Sequence, residues 1–126
     1  MSGQNIHALL HVSVLVADTA RALRFYVDVL GMREDSARPD LGYPGAWLWI
    51  GAQQLHLLEL PNPDPVDGRP SHGGRDRHAA FGVRDLDALK AALDAAGVFY
   101  TLSRSGRSAL FCRDPDGNAL EFIEQR

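Results

Sequence analysis

Cysteine, long apolar runs and an excess of either charge are scarce or absent in this sequence, and each shortage excludes a class of protein. Cys112 is the only cysteine, so the chain cannot form an internal disulfide, which is typical of a reducing cytoplasm. No apolar run approaches the roughly 18–20 residues that cross a bilayer. The start, MSGQNIHALL, lacks the basic and apolar regions of a secretory signal. We therefore expect a cytoplasmic protein without a membrane partner.

The charge balance excludes a second class. A net charge of -3 and a pI near 5.9 provide no basic surface for nucleic acid. The 126 residues, 45% hydrophobic and 23% charged, are typical of one soluble globular domain. We expect a single domain over residues 1–126 that acts on a small molecule. Cys112 follows Leu110 and Phe111 in a strand-like run, which predicts a buried thiol rather than a reactive one.

The chain repeats one pattern twice. HVSVLVADTARALRFYVDVLGM, which starts at His11, resembles HAAFGVRDLDALKAALDAAGV, which starts at His78. Each copy begins as a strand and reaches an aspartate seven positions later, and apolar residues then recur at helical spacing. The aspartates are candidate N-caps and the glycines after each helix are candidate stops. These residues are Asp18, Asp85, Gly31 and Gly97.

Three strand-like runs follow each helix, so the predicted order is β-α-β-β-β in both copies. The predicted strands after the helices cover 32–36, 46–50, 54–60, 98–102, 108–113 and 119–124. The pattern indicates an α+β fold made of two modules, 7–60 and 78–125, with a linker at 61–77. The linker is rich in proline and glycine, and connections beyond about 12–15 residues are lids, binding loops or disordered segments. We expect His72 in this linker, and His7 before the first strand, to be exposed to solvent.

Polar residues occupy equivalent positions in the two modules. The repeat relates His11 to His78, and it relates His56 in LHLLE to Glu121 in LEFIE. Strand alternation places them opposite the apolar faces that cover the helices. If the two sheets curl toward each other, the four side chains converge. They then form either a metal site, since imidazole and carboxylate suit Zn, Ni, Mn or Fe(II), or a polar cavity without metal.

Other residues are candidates for the walls of this cavity. Trp47 and Trp49 alternate on one strand and point together, either into the cavity or against a helix, and Phe111 occupies the corresponding strand of the second module. Arg104 and Arg107 lie in a loop near the predicted mouth. They either hold a substrate carboxylate or phosphate or are solvated.

The segments LLHVSVLVADTARALRFYVDVLGM, GAQQLHLLE, RHAAFGVRDLDAL and LFCRDPDGNALEFIE resemble the vicinal oxygen chelate superfamily. This superfamily includes glyoxalase I, fosfomycin-resistance proteins, extradiol dioxygenases, methylmalonyl-CoA epimerase and bleomycin-resistance proteins. The resemblance implies paired βαβββ modules that form an open, incomplete mixed barrel around one divalent metal. It also implies a homodimer, often with each site built from both chains. The ligands implied are His11, His56, His78 and Glu121.

One of these positions departs from the better-known relatives. Compact bacterial glyoxalase I carries Glu where His56 stands, and the epimerase carries Gln. Histidine in place of a carboxylate removes negative charge from the implied metal site and also one candidate general base. Glu121 is then the first candidate base and His56 the second.

The resemblance implies lyase or isomerase chemistry through a metal-stabilised enediolate, on a substrate with neighbouring oxygens. The alternatives are an extradiol-type dioxygenase, a fosfomycin-type thiol transferase, or a binding protein that sequesters a drug.

Overall fold

The computed structural model describes residues 3–125 and has the α+β fold that the sequence predicts. The first module contains β1 (His11–Leu15), α1 (Thr19–Leu23) with a π-helical continuation (Arg24–Val29), β2 (Arg33–Glu34), β3 (Gly45–Ile50) and β4 (Gln53–Leu58). The second contains β5 (His78–Val83), α2 (Leu86–Ala95), β6 (Tyr100–Leu102), β7 (Ala109–Arg113) and β8 (Ala119–Glu124). No helix within this part of the chain is long and apolar enough to span a membrane.

Each module folds into its own four-stranded sheet. The strand orders are β1-β4-β3-β2 and β5-β8-β7-β6. The first strand of each module runs parallel to the last, and the other pairs are antiparallel. Neither sheet closes, and β1 and β5 lie at the edges of their sheets. Two open mixed sheets with few helices agree with the predicted incomplete barrel.

The helices begin and end where the capping residues predict. Asp18 accepts a hydrogen bond from the backbone N–H of Arg21, and Asp85 accepts one from that of Ala88, so both act as N-caps. Gly31 and Gly97 follow the helices with φ of 79° and 69°, a conformation that only glycine adopts without strain. The π-helical continuation of α1 is a feature that periodicity did not predict.

The core lies between the helices and one face of each sheet. Alternate strand residues enter it, as expected from a period of two. Its buried members include Leu48, Leu55, Leu57, Leu93, Leu110, Leu120, Phe122 and Cys112. Burial raises the pKa of the Cys112 thiol to about 12, in agreement with the expected inert thiol. The opposite face of each sheet, here called its open face, carries the polar residues of the repeat.

The linker is ordered in its second half, and the expectation for one of its residues was wrong. His72 is only 8% exposed, because the chain turns over the second sheet in a short 3-10 turn at Gly73–Arg75. Asp76 holds this segment through ion pairs with Arg69 and Arg113 at 3.0 and 2.8 Å. Composition identifies a loop, but it does not reveal what that loop covers.

Candidate functional site

The open face of the second sheet carries His78 and Glu121 in contact. The Nε2 atom of His78 lies 3.1 Å from Oε1 of Glu121, because β5 and β8 are parallel neighbours with Ala80 opposite Glu121 in the register. The Nδ1 atom of His78 is 2.9 Å from the backbone oxygen of Asp76. A carbonyl oxygen only accepts hydrogen bonds, so Nδ1 donates to it, and Nε2 is the ring nitrogen that faces the carboxylate.

Glu121 is a carboxylate buried among positive or polarisable partners. It is 3% exposed, and a buried carboxylate is costly unless it is paired. Its second oxygen accepts a hydrogen bond of 3.1 Å from Nη2 of Arg107. Arg107 itself is 56% exposed at its side chain. Arg104, by contrast, makes no hydrogen bond or ion pair with any residue of the described chain, and it remains a solvated loop arginine.

The open face of the first sheet carries a stack of three aromatic rings. The His56 ring lies 4.0 Å from that of His11, with 15° between their planes, and 4.4 Å from that of Trp47, with 8° between the planes. The register of β3 and β4 causes this contact, because Trp47 stands directly opposite His56. Trp47 and, by alternation, Trp49 therefore lie on the open face and not in the core.

His56 is held in this stack by a polar network that sequence reasoning missed. Its Nε2 atom lies 2.7 Å from Oε1 of Gln54, whose amide nitrogen donates to Asp35 at 2.9 Å. Nε2 is therefore the donor, and Nδ1 of the neutral ring is the free nitrogen. Burial and the charge of His11 lower the pKa of His56, which favours this neutral form at pH 7. The period-two spacing of Gln54 and His56 was the signal that could have revealed the pair.

The second-sheet pair fits a divalent metal better than the first-sheet pair does. Two ligands about 2.1 Å from one ion lie roughly 3.0 Å apart at octahedral angles and roughly 3.4 Å apart at tetrahedral angles, and the 3.1 Å between His78 and Glu121 is within this range. A bound metal lies in the plane of each imidazole that holds it, whereas His11 and His56 are stacked in nearly parallel planes. One of these two rings must rotate before both can bind the same ion. Within residues 3–125 no three His, Cys, Asp or Glu side chains form a group able to hold a metal.

Phe111 connects the site to a residue that the sequence did not indicate. Phe111 stands beside Glu121 in the register of β7 and β8, and the rings of His78 and His72 both meet it edge-on, with centroids 5.1 and 4.9 Å away. Nδ1 of His72 lies 2.7 Å from the hydroxyl of Thr101. The histidine predicted to be solvated thus lies on the same open face as His78 and Glu121.

A groove separates the two edge strands β1 and β5. Its volume is about 750 Å³, and its lining includes His11, Gln54, His78 and Asn118. Apolar residues of both strands complete it, among them Val12 and Phe81. Two half-sites, one on each sheet, thus adjoin a groove large enough for a small molecule.

Comparisons with known proteins agree with this architecture. The sequence pattern of the Glyoxalase/Bleomycin resistance protein/Dioxygenase superfamily matches residues 8–122. A lactoylglutathione lyase from Haemophilus influenzae is 35% identical over 126 residues, which represent 94% of this chain and 93% of that protein. A glyoxalase-family protein from Bacillus anthracis has the same fold, with a TM-score of 0.81 and 26% identity over 99% of this chain and all of its own.

An antibiotic-binding protein from a Streptomyces species is also similar in structure. Its TM-score is 0.74 and its identity 22%, over 98% of this chain and all of its own. At this identity the likeness concerns the fold alone. The match to the superfamily pattern and the relative at 35% identity cover nearly the whole chain, and they agree with the two βαβββ modules. This chain therefore belongs to the Glyoxalase/Bleomycin resistance protein/Dioxygenase superfamily.

Proposed function

We propose that this protein is a metal-dependent enzyme that binds a small substrate through two neighbouring oxygen atoms and catalyses lyase or isomerase chemistry. The observation that carries the proposal is the pair formed by His78 and Glu121. Its donor atoms are 3.1 Å apart, and the proton of His78 is directed to the carbonyl of Asp76. Such an outer hydrogen bond is what orients a metal-binding imidazole.

A second copy of the chain completes the site in this proposal. His11 and His56 belong to the first sheet, and His78 and Glu121 belong to the second. Relatives in the superfamily are typically dimers, and a twofold dimer brings the first module of one copy to the second module of the other. The four ligands are then His11 and His56 from one copy, and His78 and Glu121 from its partner. His56 would offer Nδ1, the nitrogen that is not bonded to Gln54.

A divalent ion held by these residues would supply a Lewis acid for negative charge on the substrate oxygens. In an isomerisation, Glu121 would take a proton from one of the two oxygen-bearing carbons of the substrate and return it to the other, so that no atom is lost. His56 is either a ligand of the ion or the second acid/base group, and in the second role its lowered pKa keeps the ring neutral and able to accept a proton.

The remaining open-face residues form the substrate pocket. Trp47, Trp49 and Phe111 provide flat apolar walls. Arg107 donates to the second oxygen of Glu121, and its half-exposed guanidinium would bind a carboxylate or phosphate of the substrate. Arg104, on the same loop, adds positive charge at the mouth.

Metal analysis tests the proposal directly. Protein purified without chelator should contain one divalent ion per chain, whether Zn, Ni, Mn or Fe(II). The variants His78→Ala and Glu121→Gln should lose it, whereas His7→Ala, a change at an exposed histidine, should keep it. Wild-type protein without metal after exposure to each of these ions would refute the proposal.

A mixed dimer tests whether two chains share the site. A heterodimer of a His11→Ala chain and a His78→Ala chain has both changes in one shared site and leaves the other site intact. It should therefore hold about half the metal of the wild-type dimer, whereas each variant homodimer holds none. If all the ligands came from one chain, the heterodimer would hold no metal either.

The identity of the ion then selects the reaction. Iron would favour an extradiol-type dioxygenase, because a two-His-one-carboxylate set with Fe(II) leaves positions for a catecholate and dioxygen. Zinc or nickel would favour isomerisation, and the similarity to a lactoylglutathione lyase makes a glutathione adduct the first substrate to test. No turnover of that adduct would exclude the glyoxalase I reaction while leaving the metal site intact.

The competing function is sequestration of a drug without chemistry. The groove of about 750 Å³, with apolar residues in its lining, favours it. A binding protein of this type should be free of metal, and its ligand affinity should not change in His11→Ala and Glu121→Gln.

A further inference from the structure

A second groove, here called the turn groove, lies between the turn after β1, the chain after β4 and the turn that joins β7 to β8. Its volume is about 770 Å³, and none of the four candidate metal ligands lines it. The apolar part of its wall consists of Leu15, Val16, Leu60, Pro61, Val66 and Pro115. The groove is therefore separate from the candidate metal site and has room for a small molecule with an apolar part.

Asp116 lines this groove with a carboxylate whose hydrogen bonds are incomplete. Its side chain is 8% exposed. Oδ1 accepts a hydrogen bond of 2.9 Å from the backbone N–H of Ala17 and one of 2.6 Å from Nη2 of Arg21. Oδ2 is closed to solvent and accepts no hydrogen bond from residues 3–125. A buried carboxylate is costly unless its oxygens are satisfied, so Oδ2 marks a place for a donor that the described chain does not supply.

The charges around the turn groove favour a donor that is a cation. Two guanidinium groups line the groove, those of Arg21 and Arg113, against three carboxylates. Arg113 is committed elsewhere, because it pairs with Asp76 at 2.8 Å and donates to two backbone oxygens. The three carboxylates are those of Glu59, Asp114 and Asp116. Negative charge is therefore in excess on the wall of the groove.

Arg21 is the part of this arrangement that can yield to a ligand. Its side chain is 44% exposed, and the ion pair of an exposed arginine contributes little to stability. The other donor to Asp116 is a backbone N–H, which the turn after β1 holds in place. A cation that displaces the Arg21 guanidinium therefore gains access to the whole carboxylate at low cost.

We propose that the turn groove binds a primary ammonium ion on an apolar stem, and that the ammonium group replaces the Arg21 guanidinium at Asp116. An ammonium group carries three N–H donors, so it can serve Oδ2 as well as Oδ1. The stem lies against the aliphatic and proline side chains of the wall. This ligand is independent of the metal and of the substrate proposed above.

The probe is n-butylammonium, and two compounds match it in part. Tetramethylammonium has the same charge but no N–H donor, and 1-butanol has the same stem but no charge. Dissociation constants are measured at constant ionic strength from the backbone amide signals of Ala17 and Asp116 in ¹⁵N NMR spectra. A hydrogen bond to a charged group corresponds to about tenfold or more in affinity, so wild type should prefer n-butylammonium to both compounds by that factor.

Three variants separate the carboxylate from its surroundings. In Asp116→Asn the amide oxygen keeps the bond from Ala17, but an NH₂ group takes the place of Oδ2, so binding should weaken about tenfold or more. Asp67→Asn removes the same charge at an exposed linker position and should bind as wild type does. Arg21→Met removes the competing cation and should bind about twofold to fivefold more tightly, the range expected for an exposed ion pair.

Three results would overturn the inference. Equal binding of all three compounds by wild type would show that neither charge nor N–H donors matter. Unchanged binding in Asp116→Asn would exclude the carboxylate as the recognition group. Binding in Arg21→Met that is no tighter than in wild type, or no saturable binding in either protein, would show that no ammonium ion replaces Arg21.

Discussion

Replacement of Tyr26 by phenylalanine tests the contact that joins the two modules. The Tyr26 hydroxyl donates to Oδ2 of Asp114 at 2.6 Å, across 88 positions of sequence. Both residues are buried, at 0% and 4% exposure. Asp114 also accepts hydrogen bonds from the backbone N–H groups of Asp116 and Asn118 and from the side chain of Asn118. Tyr26→Phe removes one donor and leaves the others in place.

The expected loss follows from the charge of the acceptor. A hydrogen bond to an ionised group contributes about 1.5–3 kcal/mol, so Tyr26→Phe should lower the free energy of unfolding by about 2 kcal/mol near neutral pH. For a domain of this size, each kcal/mol moves Tm by roughly 3–5 °C. The variant should therefore melt roughly 6–10 °C below wild type.

The loss should depend on pH in a defined direction. Burial raises the pKa of Asp114, while the hydrogen bonds from Tyr26 and Asn118 oppose that rise. A carboxyl whose folded pKa is raised contributes most to stability in acid and loses that contribution as pH rises through the folded pKa. Tyr26→Phe removes a donor to the ionised carboxylate and so raises the pKa of Asp114 in the folded protein further. The variant should therefore lose about 2 kcal/mol of unfolding free energy at neutral pH. Once Asp114 is protonated the lost hydrogen bond is one between neutral groups, and the loss should be only about 1 kcal/mol.

Urea denaturation followed by circular dichroism, in steps from pH 7.5 to pH 4, measures both quantities. Tyr43→Phe is the matched control, because the Tyr43 hydroxyl makes no hydrogen bond to any described residue. The reasoning is refuted if the two variants differ by less than about 0.5 kcal/mol at neutral pH, or if the deficit of Tyr26→Phe does not change with pH.

Three further predictions concern other parts of the chain. Gly45→Ala places a Cβ atom against the backbone oxygen of Leu57 and should cost about 1–3 kcal/mol of unfolding free energy in urea. Cys112, with its pKa raised to about 12, should not react with an aromatic disulfide reagent in the native protein, and should give one thiol per chain after denaturation. Burial raises the pKa of Asp76, but the hydrogen bond from Arg113 and the surrounding positive charges hold it below the ordinary 3.8. The ionised Asp76 therefore stabilises the folded protein fully above pH 3.8, and this contribution is lost as pH falls through the pKa of the folded state. The difference in unfolding free energy between wild type and Asp76→Asn should accordingly shrink in acid.

Local patterns predicted most of the secondary structure. The alternation in LHLLE and LEFIE placed β4 and β8, and it put His56 and Glu121 on the faces opposite the core. Asp18 and Asp85 were identifiable as N-caps because an aspartate just before an amphipathic run has few other uses. These features depend on neighbours within a few positions, so the sequence contains all that is needed to predict them.

The composition of the candidate site was less accessible. The repeat related His11 to His78 and His56 to Glu121, but it could not reveal that His56 stacks on Trp47, or that Arg107 rather than Arg104 contacts Glu121. Residue type predicted a solvated His72, and the chain that turns over the second sheet at Gly73–Arg75 buries it. Each of these outcomes depends on pairing partners and loop paths far apart in sequence.

The sequence by itself determined two βαβββ modules, their helix ends and the polar residues at equivalent strand positions, because strand and helix periodicity is a local property of the chain. Only the tertiary structure decided which polar residues meet. His78 meets Glu121 because β5 and β8 are parallel neighbours, and Tyr26 meets Asp114 because the modules share a core. His72 lies on the open face because Gly73 and Gly74 let the linker pack closely against β7 and β8. Periodicity determines the face on which a side chain lies, whereas what covers that face depends on how distant segments pack.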